Sequence, residues 1–298
     1  MRILVTGATG FLGKKLCNLL SRRGHNVVGL SRNIDQFPIP AYRLISYSMG
    51  QPFPNELIEF APEVIVNLAW QGIPDFSQTQ CLQNFKSHSD FLLETEKFGS
   101  LKKVIVAGSC REYATRTGLC LEGELSRPNN YFSWAKLALH DLYLLSLKGR
   151  GIKLTWFRIF YVYGPGQRNE SLIPSLINNF KLKKILKVNN PLAANDFIYV
   201  DDVIDGFVKA VESVNSEGIL NLGSGSPFTV KGVSELVGYF MGDTKKSPHH
   251  ILRENEALHC LGEDIYADLR LVNQVLNWSP QTDLVSGIKQ TCLATEAY

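Results

Sequence analysis

Residues 6–13 read Thr-Gly-Ala-Thr-Gly-Phe-Leu-Gly, directly after the apolar run Arg2–Val5 and directly before a helical run that starts at Phe11. A buried strand that turns into a helix within so few residues needs positions without Cβ. Gly7, Gly10 and Gly13 supply them, so that the chain can bend and a pyrophosphate can approach the backbone. The helix start adds free N–H groups and the positive end of its dipole. The spacing is G-x-x-G-x-x-G, one residue longer in its first gap than G-x-G-x-x-G, but the required strand and helix stand on either side. Before anything else is read, this segment names a dinucleotide as ligand, with Thr9, Phe11 and Leu12 joining the three glycines at its phosphates.

The remainder of the chain must supply a sheet that this turn can top. Short apolar runs at Ile3–Val5, Asn26–Leu30, Arg43–Ser46, Val64–Leu68, Val104–Ala107 and Lys153–Phe157 alternate with helical patterns at Phe11–Arg23, Asn55–Phe60, Gln78–Phe98 and Tyr131–Lys148. Such alternation implies an α/β fold: a doubly wound Rossmann-type parallel sheet with helices on both faces. Val64-Ile65-Val66 and Val104-Ile105-Val106 have the continuous apolarity of strands buried on both sides. After Tyr163-Gly164-Pro165-Gly166 the order loosens. Helices are expected at Leu172–Phe180, Asp201–Glu212, Val230–Phe240, Leu269–Val275 and Leu284–Leu293, with strands at Phe197–Val200 and Leu220–Leu222. The expected organisation is a dinucleotide-binding part, residues 1–164 and 196–224, and a smaller mixed α/β substrate-binding part, residues 165–195 and 225–298.

At 298 residues the chain has room for one large domain or two closely joined ones. The net charge of +3 is spread along it, so neither nucleic acid nor a membrane surface is expected as a partner. No apolar stretch reaches membrane-spanning length. A core strand begins almost at Met1, which leaves no room for a signal peptide. The six cysteines form no C-x-x-C pair. Reduced thiols in the cytoplasm are the expectation, with no metal site. His249-His250 and His259-Cys260 read as surface loop.

Several further motifs follow in order: Asn67-Leu68-Ala69, Ala107-Gly108-Ser109-Cys110-Arg111-Glu112-Tyr113, Tyr161-Val162-Tyr163-Gly164-Pro165-Gly166-Gln167, Asp196-Phe197-Ile198-Tyr199-Val200-Asp201-Asp202 and Asn221-Leu222-Gly223-Ser224-Gly225. Together with the glycine turn they resemble, over essentially the whole length, the extended short-chain dehydrogenase/reductase family of nucleotide-sugar epimerases, dehydratases and 4-ketoreductases. Within it the chain looks most like small reductases and epimerases that finish deoxysugars for bacterial surface polysaccharides.

The resemblance implies a nicotinamide beside a sugar carbonyl or alcohol. It implies a Tyr-x-x-x-Lys pair whose Tyr exchanges the proton, and a Ser or Thr that hydrogen-bonds the reacting oxygen. Ser109 matches the hydroxyl residue and Lys136 the lysine, which would also hold the cofactor ribose. The positions after Ser109, where dehydratases carry Asp-Glu, are Cys110 and Arg111, so dehydration is rejected. The tyrosine departs from the pattern. Phe132 stands four residues before Lys136, and Tyr131 stands one position early, rotated by roughly 140° on a regular helix. Three outcomes are open: a π-type turn brings Tyr131 into register, Tyr113 or water supplies the proton, or the site keeps binding without chemistry.

For the cofactor, Asn67, Leu68 and Ala69 close the fourth strand beside it, and Phe160 flanks the nicotinamide. Ser31 and Arg32 end the second strand, where a hydroxyl and a guanidinium suit a 2′-phosphate. NADP(H) is therefore expected over NAD(H); Asp35, the nearest acid, falls after the strand end. For the sugar nucleotide, Trp70, Ser109, Arg111, Tyr161 and Leu172 are the expected contacts. Asn84 should support the local backbone, and Asn195 replaces the arginine usual before Asp196. Homodimers formed by packing Gln78–Phe98 and Tyr131–Lys148 are implied by the resemblance. The competing function is a catalytically impaired NADP-binding regulator or scaffold.

Overall fold

The computed structural model describes residues 1–34, 41–114, 117–124, 127–184, 190–258 and 265–296. The chain forms two compact units. One comprises Met1–Thr115, Gly123–Arg158 and Ile204–Leu220, the other Arg116–Glu122, Ile159–Val203 and Asn221–Tyr298.

In chain order the elements are β1 (Arg2–Thr6), α1 (Phe11–Arg22), β2 (Asn26–Ser31), β3 (Arg43–Ser46), α2 (Asn55–Phe60), β4 (Val64–Asn67), α3 (Gln78–Glu94), β5 (Lys103–Ala107), β6 (Gly118–Cys120), α4 (Tyr131–Lys148), β7 (Lys153–Ile159), β8 (Tyr161–Tyr163), α5 (Leu172–Lys181), β9 (Ala194–Tyr199), α6 (Val200–Glu212), β10 (Gly218–Leu222), β11 (Pro227–Thr229), α7 (Val230–Phe240), α8 (Pro248–Leu258), β12 (Ile265–Ala267), α9 (Arg270–Leu276) and α10 (Leu284–Glu296).

A seven-stranded sheet runs in the order β10-β7-β5-β4-β1-β2-β3. The pairings β3/β2, β2/β1, β1/β4, β4/β5 and β5/β7 are all parallel. Ile3, Leu4, Val5, Ile65, Val66 and Ile105 are fully buried, as expected of strands covered on both faces. The strand order reverses between β1 and β4, so the carboxyl ends of these two strands open a crevice suited to ligands.

The glycine turn sits at that crevice. Gly7 has φ +67°, a left-handed conformation that favours glycine. A Cβ on Gly13 would lie 2.1 Å from the Gly7 carbonyl oxygen, so α1 starts this close to the turn only because Gly13 has no side chain. Gly10, by contrast, caps α1 in ordinary extended geometry (φ −76°).

The second unit is built on a five-stranded sheet ordered β11-β9-β12-β6, with β8 pairing β9 in parallel. Asp196 and Asp202 of its Asp196–Asp202 motif are structural anchors. Asp196 accepts hydrogen bonds from the backbone N–H of Ser224, Gly225 and Ala267 and from the Ser224 hydroxyl. Asp202 accepts from the backbone N–H of Gln281 and Thr282.

The three-residue strands β6, β8, β11 and β12 are too short for a period to show in the sequence. His249 and His250, expected in a loop, lie on α8, where His250 Nε2 sits 3.0 Å from Glu254 Oε1. The i, i+4 pairing makes this polar stretch helical. His259 and Cys260 lie outside the described residues, as does Asp35. Cys17, Cys81, Cys110, Cys120 and Cys292 are buried free thiols. No described helix is long and apolar enough to cross a membrane.

Candidate active site

The carboxyl ends of β1, β2 and β4 enclose a cleft of about 230 Å³, lined by Thr6, Gly7, Thr9, Gly10, Ser31, Arg32, Leu68, Ala69 and Trp70, and also by Leu30, Tyr47, Met49 and Gln71. On its floor, α1 begins with no side-chain cap and no acidic residue in its first turn. The N–H groups of Phe11, Leu12 and Gly13 are therefore orphan donors at the positive end of the helix dipole, a ready anion site. These features fit the diphosphate of a dinucleotide. At the far wall Thr9 Oγ1 lies 2.7 Å from Ser31 Oγ, and the Arg32 guanidinium reaches toward Gln71 Oε1 at 3.5 Å. Tyr47 and Met49 escaped sequence reasoning; their signal was position, just beyond β3.

A buried polar network locks the β1 and β4 ends together. Thr6 Oγ1 donates to Asn67 Oδ1 at 2.7 Å and accepts from the Ala69 N–H at 3.2 Å. Asn67 Nδ2 donates to the Tyr143 hydroxyl and meets His88 Nδ1, each at 3.0 Å. Asn67 is thus the hub of the β4 end, with its side chain engaged inside the protein. Burial, with Lys136 nearby, pulls the His88 pKa down to about 3, so the ring is a neutral strut. Asn84 holds the next segment, accepting from the Gln71 N–H at 2.8 Å and donating to the Gln71 carbonyl at 3.0 Å.

The chemistry-bearing corner lies between β5 and α4. Lys136 is 5% exposed. Its Nζ donates to the Ala107 carbonyl at 2.7 Å and sits 4.1 Å from the centre of the Trp70 ring. Burial lowers its pKa to about 8 even though the Glu112 carboxylate opposes the shift. Phe132 is 7% exposed. Its ring packs against Trp70 at 5.2 Å and Phe76 at 4.7 Å, and Lys136 Nζ lies 5.9 Å from its centre. Trp70 leaves its buried indole N–H without a protein acceptor among the described residues.

α4 is α-helical from its first residue, with Asn130 as N-cap accepting from the Ser133 N–H at 2.9 Å. No π-turn rotates Tyr131 into register. Tyr131 stands 50% exposed and the structure does not bring it to Lys136. Tyr113 is buried, and the Arg158 guanidinium covers its ring at 4.4 Å.

Ser109 is half-buried at the head of a short 3-10 turn, Cys110–Tyr113. Its Oγ accepts from the Arg111 N–H at 3.2 Å, which leaves the hydroxyl proton for another partner. Beneath it lies an ion pair, Glu112 with Arg158, that sequence reasoning missed. Glu112 is fully buried. It accepts from the Ser109 N–H at 2.8 Å, from Trp156 Nε1 at 3.1 and 3.0 Å, and from Arg158 Nε at 3.1 Å. A Cβ on Gly108 would lie 2.2 Å from Trp156 Nε1, so this packing requires glycine there. Arg111 extends outward, with its guanidinium 5.3 Å from the centre of the Phe76 ring.

Ser109, Lys136, Trp70 and Arg111 therefore share one corner with Phe132. Phe160, Tyr161 and Leu172 belong to the second unit. There Phe160 is buried and donates its N–H to the Leu222 carbonyl at 2.9 Å. Tyr161 opens β8 with its ring 5.9 Å from that of Phe197. Leu172 is the first residue of α5.

The sequence pattern of the NAD dependent epimerase/dehydratase family matches residues 3–223. The chain is 24% identical to a UDP-glucuronate 4-epimerase of Thermodesulfobacterium geofontis, over 97% of this chain and 94% of that one. It is also 24% identical to a dTDP-4-dehydro-6-deoxyglucose reductase of Escherichia coli, over 96% and 95%. Among solved structures it is similar to MoeE5 in complex with UDP-glucose and NAD, with TM-score 0.82, 26% identity and 100% and 99% coverage. The complex of MoeE5 with UDP-glucuronic acid and NAD gives TM-score 0.83 at 24% identity, covering 100% and 99%.

Proposed function

The chain belongs to the NAD dependent epimerase/dehydratase family, and from that premise we propose that it is a nicotinamide-dependent 4-ketoreductase acting on a sugar carried by a nucleoside diphosphate. The observation that carries this reading is the pair of a buried Lys136 cation and Phe132 at the β5–α4 corner. The glycine turn and the residues lining the cleft would hold a nicotinamide coenzyme, whose chemistry there would be hydride transfer. Ser109 offers its hydroxyl proton to the sugar oxygen. Lys136, with its pKa pulled to about 8, is charged at neutral pH and stabilises negative charge developing on that oxygen. Phe132 can neither give nor take a proton. Reduction needs a proton delivered once, to an oxyanion, and water can supply it. Epimerisation must first remove a proton from an alcohol, and among the described residues of the corner Phe132, in the position where the resemblance calls for the tyrosine, cannot take it. The geometry thus favours reduction.

The test is oxidation of NADPH or NADH in the presence of 4-keto sugars on dTDP, CDP, GDP or UDP, including the 6-deoxy sugars of surface polysaccharides. Turnover is expected, and Phe132→Tyr should raise it while Tyr131→Phe changes it less than about twofold. Absence of turnover with the whole panel overturns the reading. Phe132 also favours a second reading, a dinucleotide-binding regulator without catalysis. Dinucleotide binding with no turnover in the parent, and activity created by Phe132→Tyr, would establish it.

Two finer readings accompany this proposal. Ser31 and Arg32 suit NADP(H), whereas the solved MoeE5 complexes hold NAD. For assembly, Leu82 and Leu93 on α3, and Trp134 and Leu145 on α4, are exposed. Each pair is eleven residues apart, close to three full turns, so each lies on one helix face. Phe85 and Trp134 bring the two helices together at 5.5 Å. We propose that this apolar face forms a homodimer. Light scattering should show a dimer, and Leu145→Glu should give a monomer.

A further inference from the structure

We propose that Arg111 reads a carboxylate on the sugar ring, so that the substrate class of this site is a nucleotide-linked uronic acid. This inference rests on the nucleotide-sugar reading above and adds what that reading leaves open, the group borne on the carbon next to the reacting one.

Several arginines of the first unit are held by protein partners: Arg23 by Glu212, Arg43 by Glu56 and Arg150 by the Thr95 carbonyl and hydroxyl. Buried Arg158 is paired with Glu112. Among the described residues no carboxylate pairs with Arg111. Its guanidinium instead lies over the face of Phe76. Stacking restrains the planar group and leaves its N–H donors pointing outward in the plane, the arrangement that binds carboxylates through two parallel hydrogen bonds.

Its location is the second argument. The Arg111 N–H is bonded to the Ser109 oxygen, so the two residues serve the same end of the site. In a hexopyranose, the oxygen on C4 and the substituent on C5 stand on adjacent carbons. If Ser109 meets the first, the residue that meets the second must be a near neighbour of Ser109. Arg111 meets that requirement, at the outer edge of the aromatic floor made by Phe76, Phe132 and Trp70. Lys136 stands at the inner edge of the same floor. A ring resting there lies between two cations.

Calorimetric titration of the chain saturated with oxidised dinucleotide tests the proposal. The probes are UDP-glucuronic acid against UDP-glucose, and the corresponding pair on dTDP. The acidic sugar is expected to bind at least about tenfold more tightly than the neutral one, as for a charge-assisted bidentate pair. Arg111→Met should collapse that ratio toward one, and Arg111→Lys should keep only part of it. Arg111 is exposed, and a thermal melt of each variant verifies folding. A ratio near one in the parent, or equal losses for both sugars in Arg111→Met, overturns the carboxylate reading and leaves the nucleotide-sugar site standing. Dinucleotide binding with no binding of any of the four probes overturns both.

Discussion

The turn after β1 and the corner between β5 and α4 lie at the same edge of one parallel sheet and are built from opposite materials. The turn offers backbone. Gly7 and Gly13 remove side chains, and the uncapped start of α1 presents N–H groups. The corner works through side chains: a buried cation over an indole, a hydroxyl whose backbone N–H rests on a buried carboxylate, and a phenyl ring in the position where the family resemblance calls for a phenol. A backbone site depends on which residues are absent and tolerates many neighbours. A side-chain site depends on single functional groups, so one residue, here Phe132, decides which reactions it can run.

Removing the cation tests this contrast most severely. Lys136→Met keeps the length of the buried side chain and deletes its charge. Turnover should fall by about 10²-fold or more, in line with the loss of a positioned acid–base group, with Tm nearly unchanged. Turnover surviving within about threefold would mean that the corner does not depend on its side chains in the way described.

Next comes the ion pair beneath Ser109. Glu112→Gln retains an acceptor for the Ser109 N–H but leaves Arg158 buried without its counter-charge, and breaking such a pair costs about 3 kcal/mol. It also alters the pH profile. The Lys136 pKa is depressed by burial and partly restored by Glu112. Ketoreduction in the parent should therefore decline as pH rises through about 8, where the cation is lost. Without the Glu112 carboxylate the declining limb should move to lower pH. A purely structural role for Glu112 would lower stability and leave the limb in place, so steady-state rates between neutral and alkaline pH separate the two.

The backbone end is tested by Gly13→Ala. The added methyl would meet the Gly7 carbonyl oxygen at 2.1 Å, so the turn or the helix start must shift, at about 1–3 kcal/mol for an overpacked site. Dinucleotide binding, followed by fluorescence or calorimetry, should weaken together with Tm. Gly10→Ala should be milder, because Gly10 already has ordinary extended geometry. Equal losses at both positions would contradict the division of labour seen within the turn.

The same contrast explains what was legible in the chain. Strands β1 to β5 and helices α1, α2 and α4 follow from apolar runs, period and punctuation, because burial on both faces imprints itself on consecutive residues. The glycine turn was legible for a similar reason: it is local. The corner was legible only as far as its motif residues. Glu112 and Arg158 meet across 46 positions, and Asn67 and His88 across 21. Nothing in the neighbourhood of either partner announces the other, and a polar residue destined for the core looks in sequence like one destined for solvent. Tyr131 shows the converse. Its proximity to Lys136 in sequence suggested a role, and the regular start of α4 sets it half in solvent.

The smallest effect expected lies where the two kinds of construction meet, at the end of β2. There the backbone ends and two side chains, Ser31 and Arg32, face the cleft. Thr9 Oγ1 is within hydrogen-bonding distance of Ser31 Oγ, so the hydroxyl is held in place. Arg32 makes only a 3.5 Å contact with Gln71 and is exposed, which leaves it able to turn toward an anion. A solvent-facing guanidinium–phosphate contact is worth about 1 kcal/mol after screening. Arg32→Asp should accordingly weaken NADPH by about tenfold once the introduced repulsion is added, and should change NADH by much less. The difference should shrink as salt is raised, since both charges are wet. Equal losses for the two coenzymes would remove the 2′-phosphate from this end of the cleft and bring the chain into line with the NAD held by MoeE5. The Ser31–Thr9 pair would then be a structural tie between the turn and β2.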